Sequence, residues 1–367
     1  MKILKYTILL LVILNVPPFG LFYLGDTIGN ITSTLFFALI FLWFFFNEKS
    51  KLTTPLIILG IAYFFISGIN SLVPTSEFIN DIIKYFIFII GSVSLMKKTN
   101  SKELCFIFLI GAISILINAL IFPSVYGRYS GFYLNPNQAG FICLIGFALT
   151  YTLGNKKYKL IAQFIFAISG FMTFSRYFIL LLIIVNVVSV ISNKRNSISL
   201  IAGAVALLLI LSTSYFQLNN ERFSALQSVF SDDVDTKTIT KGSREETWAI
   251  YTDIILENIL IGNGYKSLHG RVHNPNFDVG VHNTYLMVLG ESGIITFLLI
   301  IFTYFMLFFK SLKYFSTNPE YIYLSIVLLT YLLVTHNYFY NYIVLAMTIW
   351  LFTRVTNSVD SNSLNSV

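Results

Sequence analysis

The sequence predicts an all-α, polytopic integral membrane protein with about twelve transmembrane helices and one large outer loop that contains an amphipathic helix. The 367 residues are 56% hydrophobic and 11% charged, with a mean hydropathy of +0.76. This composition is too apolar for a soluble domain of that length. Apolar runs of membrane-spanning length lie near 5–22, 31–47, 55–73, 79–96, 103–122, 137–153, 159–174, 176–192, 198–215, 284–309, 321–336 and 338–353.

A long polar segment separates two apolar parts of the chain. We predict an N-terminal transmembrane bundle over 1–215, a large extracytoplasmic loop over 216–283, and C-terminal transmembrane helices with a short cytoplasmic tail over 284–367. The first apolar run follows Lys2 and Lys5, as in a signal peptide, but it lacks a convincing cleavage site, so we interpret it as a retained anchor helix.

The distribution of charge predicts the orientation. With the N-terminus in the cytoplasm, the short outer loops carry only Arg128 and Arg176 as basic residues, which favours an even number of spans and two cytoplasmic termini. The net charge of +7 is therefore mostly topogenic, and no motif for nucleic acid binding accompanies it. The basic residues of the inner segments are Lys2, Lys5, Lys49, Lys51, Lys97, Lys98, Lys102, Lys156, Lys157, Lys159, Lys194, Arg195, Lys310, Lys313 and Arg354.

Orientation does not require the arginines on the outer side, so they need another explanation. Arg128 lies just before the span that opens near Asn137, and Arg176 follows Ser175 at the start of another span. Contact with lipid headgroups is an alternative role for Arg128. Arg176 begins its span with almost no loop, which favours a buried ionic role.

Arg244 belongs to the large loop, in the segment Gly-Ser-Arg-Glu-Glu-Thr-Trp. Ser243 and Glu246 have the spacing of a capping box, which predicts a helix that starts at Arg244. The backbone N–H groups at a helix N-terminus and a nearby guanidinium together form a good anion site. If the helix starts at Arg128, Arg176 and Arg244 converge, they can hold a pyrophosphate, although solvation beside two glutamates is an alternative for Arg244.

The predicted helix after Arg244 is amphipathic. Its apolar stripe indicates that it lies on the membrane surface or packs on the spans, and Gly262 and Gly264 are predicted to stop it. The stripe consists of Trp248, Tyr251, Ile255 and Ile259.

His282 and Asn283 stand where the loop meets an apolar run, at an outward-facing helix N-terminus. The helix dipole there disfavours imidazolium, so a neutral ring can act as a base, although a structural helix cap is the competing interpretation. His269 and His273 are spaced by four residues, but the lack of a helical pattern between them argues against zinc. We interpret Asp232, Asp233 and Asp235 as a solvated acidic turn.

The segment HNTYLMVLGESGIITFLL, 282–299, resembles the signature of the bacterial O-antigen ligase and polysaccharide polymerase superfamily. In that family a His-Asn or His-Ser pair precedes a Gly-x-x-Gly step within a span; here Gly293 takes the first glycine position and Thr296 replaces the second. The resemblance covers roughly 120–310. Its other landmarks, in order, are Arg128 to Asn137, Ser175-Arg176, Gly242-Ser243-Arg244 with Trp248, and Gly262-x-Gly264.

The resemblance implies a membrane glycosyltransferase that polymerises polyprenyl-pyrophosphate-linked oligosaccharide repeat units on the outer face of the cytoplasmic membrane. It assigns His282 as the base and Arg176 and Arg244 as pyrophosphate contacts, with no metal or cofactor. The candidates for substrate binding are Arg128, Asn137, Asn283 and Glu291. Helix capping is an equal alternative for Asn283, and a buried structural role is an equal alternative for Glu291.

Two other functions stay open at the sequence level. One is an O-antigen ligase that transfers lipid-linked glycan to a lipid A core. The other is a lipid-linked glycan transporter, which internal repeats and deep polar residues would indicate; the sequence has no repeat and few such residues apart from Asp81 and Lys84. Besides the donor, the implied partners are a glycan acceptor, membrane lipids, a chain-length regulator and a flippase, with no nucleic acid.

Overall fold

The computed structural model describes residues 1–122, 127–212, 244–272, 274 and 279–363; side chains are described for these except 202, 207–212, 244–246 and 357–363. Over these ranges the chain is helical, with short 3₁₀ turns and no strand. The helices are α1 (Lys2–Ile13), α2 (Val16–Leu24), α3 (Asp26–Phe46), α4 (Thr54–Ser67), α5 (Thr75–Gly91), α6 (Val93–Lys97), α7 (Ser101–Ile121), α8 (Pro136–Leu149), α9 (Lys156–Met172), α10 (Arg176–Ser192), α11 (Ser197–Ser212), α12 (Arg244–Glu257), α13 (Thr284–Leu312), α14 (Glu320–Tyr331) and α15 (Tyr342–Ser363).

Each predicted apolar run contains a helix, but the number of spans is not confirmed. By length and composition, four stretches of the described chain can cross a membrane: α3, the joined α5 and α6, α7, and α13. The pair α1 and α2, bent by 59°, is a fifth if it forms one span. Other apolar helices, such as α10 and α14, have only 10–17 residues. The count of about twelve spans therefore stays a prediction.

Residues of the predicted inner segments meet at one end of the bundle. The ammonium group of Lys5 lies 2.6 Å from a carboxylate oxygen of Glu103 and donates to the carbonyl of Lys98 at 2.8 Å. Arg354, near the end of the chain, donates to the carbonyl of Lys97 at 3.4 Å. The starts of α1 and α7 thus lie beside the end of α6 and the later part of α15.

The opposite end of the bundle gathers the residues predicted to face outward. Lys266, from the polar segment, lies 2.6 Å from Glu77 and 3.2 Å from Asp81, both in the first half of α5. His269, three residues later, forms a 3.0 Å hydrogen bond with Tyr340, just before α15. The inner and outer sets of the charge pattern are therefore separated in space as well as in sequence.

Helix α13 is interrupted at Gly293, whose backbone has φ +74° and ψ −175°. The break is filled by the segment that follows α12. The backbone N–H of Asn263 donates to the carbonyl of Gly290 at 2.7 Å, and the N–H of Ile294 donates to the carbonyl of Ile259 at 2.9 Å. Backbone groups inside a bilayer need such partners, so the break is stable because this segment enters it.

Replacing Gly293 by alanine is expected to destabilise the protein by at least about 2 kcal/mol. A Cβ atom there would lie 2.1 Å from the carbonyl oxygen of Leu260, and the backbone is in the left-handed region. Gly154→Ala is the matched control because a Cβ at Gly154 meets nothing within 4 Å. Thermal unfolding in detergent measures both; equal melting temperatures for the two variants would contradict the expectation.

The loop contains a helix, α12, which the structure describes from Arg244 onward, so the predicted helix start there stays a prediction. Tyr251 and Ile255 are buried and Trp248 is half-buried, while Ile259 is 38% exposed. The helix packs on α13, where a Cβ at Gly290 would lie 2.9 Å from Ile255. Of the two predicted locations, packing on the spans is therefore the one observed. The predicted cap residue Ser243 lies outside the described residues.

Candidate functional site

Helices α8 and α10 begin side by side. Asn135 caps α8 by accepting from the backbone N–H of Asn137 at 2.8 Å. Ser175 caps α10, and its hydroxyl donates to the side-chain oxygen of Asn137 at 3.0 Å. The positive ends of two helix dipoles therefore lie together, which meets, for the starts near Asn137 and Arg176, the condition that the sequence analysis left open.

Arg128 joins these two helix starts. Its Nε donates to the carbonyl of Thr173 at 3.1 Å, and the N–H of Tyr129 donates to the carbonyl of Met172 at 3.1 Å. Arg176 is exposed, and its guanidinium bonds to none of the described residues, so the expected burial is not observed. Arg128 is thus anchored to protein, whereas Arg176 is available to an anion. We refer to Arg128, Asn137 and Arg176 as the arginine side of the site.

The His282-Asn283 pair lies at the start of α13. The side chain of Asn283 is 4% exposed and accepts from the N–H groups of Tyr285 at 2.9 Å and Leu286 at 3.2 Å. Asn283 therefore caps the helix, while its proposed contact with substrate stays a prediction. His282 is half-buried, and its backbone has φ +48°.

The C-terminal end of α14 lies between His282 and the arginine side. The N–H of Thr284 donates to the carbonyl of Leu332 at 2.7 Å. On the other face of α14, the hydroxyl of Tyr177 donates to the carbonyl of Val327 at 2.8 Å, and the ring of Phe141 stacks on Tyr331 at 4.0 Å. Tyr177, next to Arg176, and Thr284, near His282, thus both bond to α14.

Three histidine rings form a row that leads inward from His282. The ring centroid of His336 lies 4.5 Å from that of His282 and 5.0 Å from that of His269. His336 was not among the residues predicted from the sequence. The available signal was a second His-Asn pair at a helix boundary, in Thr335-His336-Asn337, which mirrors His282-Asn283.

The histidine row ends at Glu291, which is fully buried. One carboxylate oxygen lies 3.5 Å from Nε2 of His269 and accepts from the N–H of Leu268 at 3.3 Å. The other oxygen accepts a hydrogen bond from the hydroxyl of Tyr63. Glu291 is thus held by protein groups, and both its structural role and its role toward substrate stay predictions.

All five non-glycine residues with positive φ in the described chain lie at this end of the bundle. Such backbone conformations cost about 1–3 kcal/mol each and collect at functional sites. Besides His282, they are Asn15, Leu134, Phe174 and Lys266. Phe174 precedes the Ser175-Arg176 pair and Leu134 precedes the cap of α8, so the strained positions flank the predicted site residues.

Several predicted residues lie outside the described part of the chain. The side chain of Arg244 is not described. The predicted acidic turn at 232–235 also lies outside the described residues. His273 also falls outside. Within the described ranges, no group of three His, Cys, Asp or Glu residues has an arrangement that could hold a metal ion.

Burial lowers the pKa of His336 to about 3, and the neighbouring His282 acts in the same direction. The pKa of His269 is also lowered, first by burial and then by His336 and Lys266. Both rings are therefore neutral at pH 7. A neutral ring beside His282 adds no positive charge to a site that is expected to accept a proton.

The protein is expected to lose stability as the pH falls from about 6.5 toward 3. The pKa of His336 is 6.5 in the unfolded chain but about 3 in the folded one, so only the unfolded chain binds its proton in this window. The contribution is at most about 1.4 kcal/mol per pH unit. Melting temperatures of wild type and His336→Gln between pH 4 and 7 measure it: the variant should show the smaller loss, and parallel curves would contradict the assignment.

A family model described as O-antigen ligase matches residues 161–301. The match covers less than half of the chain and shows that this segment is similar to the O-antigen ligase and polymerase superfamily. The match includes Arg176, Arg244, His282 and Glu291 and ends before His336. A comparison with curated proteins finds no match.

This similarity to the O-antigen ligase family agrees with the resemblance that the motifs indicated. It supports an O-antigen ligase or polymerase type of membrane function, with lipid-linked glycan and acceptor as substrates. Together with the apolar helices, it indicates an integral protein of the inner membrane.

Proposed function

We propose that the protein is a glycosyltransferase that polymerises polyprenyl-pyrophosphate-linked oligosaccharide repeat units on the outer face of the cytoplasmic membrane. The observation that supports this most is that the chain neighbours of Arg176 and His282 bond to the same helix, α14. Tyr177, next to Arg176, bonds to Val327 of α14, and Thr284, near His282, bonds to Leu332 at the end of the same helix. The two predicted site residues are therefore held near one helix, where a lipid pyrophosphate and an acceptor hydroxyl can meet.

The reaction joins the acceptor oxygen to the anomeric carbon of the donor glycan. As that bond forms, the bond between the anomeric carbon and the pyrophosphate oxygen breaks, and its electron pair leaves with the lipid pyrophosphate. His282 takes the proton of the attacking hydroxyl, whose own pKa is far above neutral. The proton then passes to solvent, which returns the ring to its neutral form.

The developing charge on the pyrophosphate is stabilised at the arginine side. Arg176 offers a planar fork of donors that matches two phosphate oxygens. The starts of α8 and α10 add the positive ends of two helix dipoles. In this proposal Arg128 holds the chain between the two helix starts, and Arg244 approaches from α12. Arginines supply this stabilisation without a metal ion.

The position of His282 is supported by a row of three residues that begins at its ring: His336, His269 and Glu291. The edge-to-face contact with His336 restricts the ring of His282. Glu291 and Tyr340 in turn hold His269. We regard these three as positioning residues, because their contacts in the described chain are with one another and with protein groups.

A ligase is the second candidate, favoured by the description of the matching family. Purified protein in nanodiscs, supplied with a lipid-linked repeat unit, is expected to produce a ladder of products longer by whole repeats. Transfer in a single step, and only to a lipid A core acceptor, would favour the ligase instead.

The same preparation tests the transporter alternative. Wild-type protein in sealed vesicles that moves lipid-linked glycan between leaflets without forming a new glycosidic bond would overturn the proposal. The His282→Asn variant is the matched negative control for transfer, since it is expected to bind both substrates without joining them.

A further inference from the structure

A cavity of roughly 480 Å³ lies beside the candidate site, a size typical of small-molecule pockets, which span about 300–1,000 Å³. It is enclosed by the break between α1 and α2, by α3 and α5, and by the starts of α8 and α15. Its lining includes six amide side chains, those of Asn15, Asn30, Asn135, Gln138, Asn337 and Asn341.

The backbone around the cavity is irregular at two places. Asn15, at the 59° bend between α1 and α2, has φ +56°, and Leu134, before α8, has φ +61°. Irregular backbone within a membrane bundle is tolerated where it lines a cavity, and interrupted helices often mark a binding site. The strain at Leu134 is a further indication of a functional position.

The charges in the lining are balanced. Asp81 accepts from the hydroxyl of Tyr265 at 2.8 Å and pairs with Lys266 at 3.2 Å. The pKa of Lys266 is raised because hydrogen bonds to Glu77 and Asp81 outweigh the lowering effect of burial. Lys84 adds one cation to the lining. With two carboxylates and two ammonium groups, the region has no net charge to favour an ion.

The lining chemistry selects hydroxyl groups over phosphate. An amide side chain offers both donors and an acceptor, so it matches a hydroxyl group, which also does both. A phosphate only accepts and would leave the amide oxygens unpaired. The side chains of Asn30 and Gln138 bond to none of the described residues, so they are available to a ligand.

The cavity reaches both halves of the candidate site. Tyr340 lines it and bonds to His269 at 3.0 Å, and Asn337 follows His336. On the other wall, Gln138 follows Asn137, which bonds to Ser175. A sugar in this cavity contacts neighbours of both the histidine row and the arginine side, which suits an acceptor.

We propose that this cavity binds the terminal, uncharged sugars of the acceptor glycan. That the bound sugar is an acceptor depends on the proposed transferase function, but the binding of sugar can be measured without catalysis. It assigns Asn30 and Gln138 to recognition of sugar hydroxyls.

The test uses full-length protein in nanodiscs and oligosaccharides released by mild acid from the producing organism's own surface polysaccharide. Saturation-transfer NMR is expected to detect binding to wild type, and the double variant Asn30→Ala, Gln138→Leu should bind about tenfold more weakly. Asn47→Ala, at the other end of α3, is the matched control and should bind like wild type. Inorganic pyrophosphate should not displace the sugar.

Kinetics separate this proposal from the proposed function. In the transfer assay, the double variant should raise the KM for acceptor about tenfold and leave the KM for donor unchanged. Unchanged sugar binding in the double variant, or displacement of the sugar by pyrophosphate, overturns the assignment of the cavity. Sugar binding that depends on Asn30 and Gln138 in a protein with no transfer activity supports the cavity and overturns the transferase.

Discussion

Replacing His282 by asparagine is expected to slow glycan transfer by about 10²–10⁴-fold, the range for the loss of a general base. The acceptor hydroxyl would then attack without a group to take its proton. Product formation from a lipid-linked repeat unit, at saturating donor and acceptor, measures the effect. A rate within a few-fold of wild type would remove His282 from the mechanism.

Asparagine is preferable to alanine because of the backbone at this position. His282 has φ +48°, a conformation that asparagine adopts more readily than most other residues with a side chain. His282→Asn therefore removes the imidazole with little added strain. His282→Ala removes the ring and also adds backbone strain, because alanine tolerates a positive φ less well than asparagine. If His282→Asn keeps the wild-type melting temperature and loses transfer, the loss belongs to chemistry.

Replacing Arg176 by alanine is expected to reduce kcat by about 10²–10³-fold, the loss seen when one donor to a developing oxyanion is removed. Arg176→Lys keeps the charge but loses the fork, so it should recover only part of the activity. Because the side chain is exposed and bonds to none of the described residues, neither change should lower the melting temperature. The same transfer assay measures both variants.

Arg195→Lys is the control for these arginine variants. Arg195 is also exposed, but it lies beyond the other end of α10, in the Lys194–Asn196 turn. Its substitution should leave transfer unchanged. Full activity in Arg176→Lys would exclude a bidentate contact with pyrophosphate, and full activity in Arg176→Ala would exclude any contact that matters for the rate.

The parts of the site that the sequence predicted are those with local signals. Asn283 stands one residue before α13 and caps its free N–H groups, as one of its two predicted roles required. Asn135 and Ser175 cap α8 and α10 in the same way. The capping-box spacing before Arg244 agrees with the presence of α12, although the cap itself lies outside the described residues. The number of spans stays a prediction. Hydropathy shows that a helix is long and apolar enough to cross a bilayer, but it does not show that the helix does so.

The parts that were missed depend on contacts between distant segments. His336 lies more than fifty residues from His282 in the chain, so no periodicity connects the two rings. Gly262 and Gly264 were predicted only to stop a helix, yet their segment also enters the break in α13. The cavity combines side chains from six helices and the turns between them.

By itself, the sequence predicted a helical membrane protein that resembles the O-antigen ligase superfamily, with a long polar segment and a cap candidate at Asn283. These properties depend on composition and on residues within one or two turns of each other. The tertiary structure decided that His282 contacts His336, that Glu291 is buried against Tyr63, and that a sugar-sized cavity lies beside them. Packing brought these groups together, because burial of the apolar faces of α13, α14 and α15 sets which polar loop residues meet at the end of the bundle.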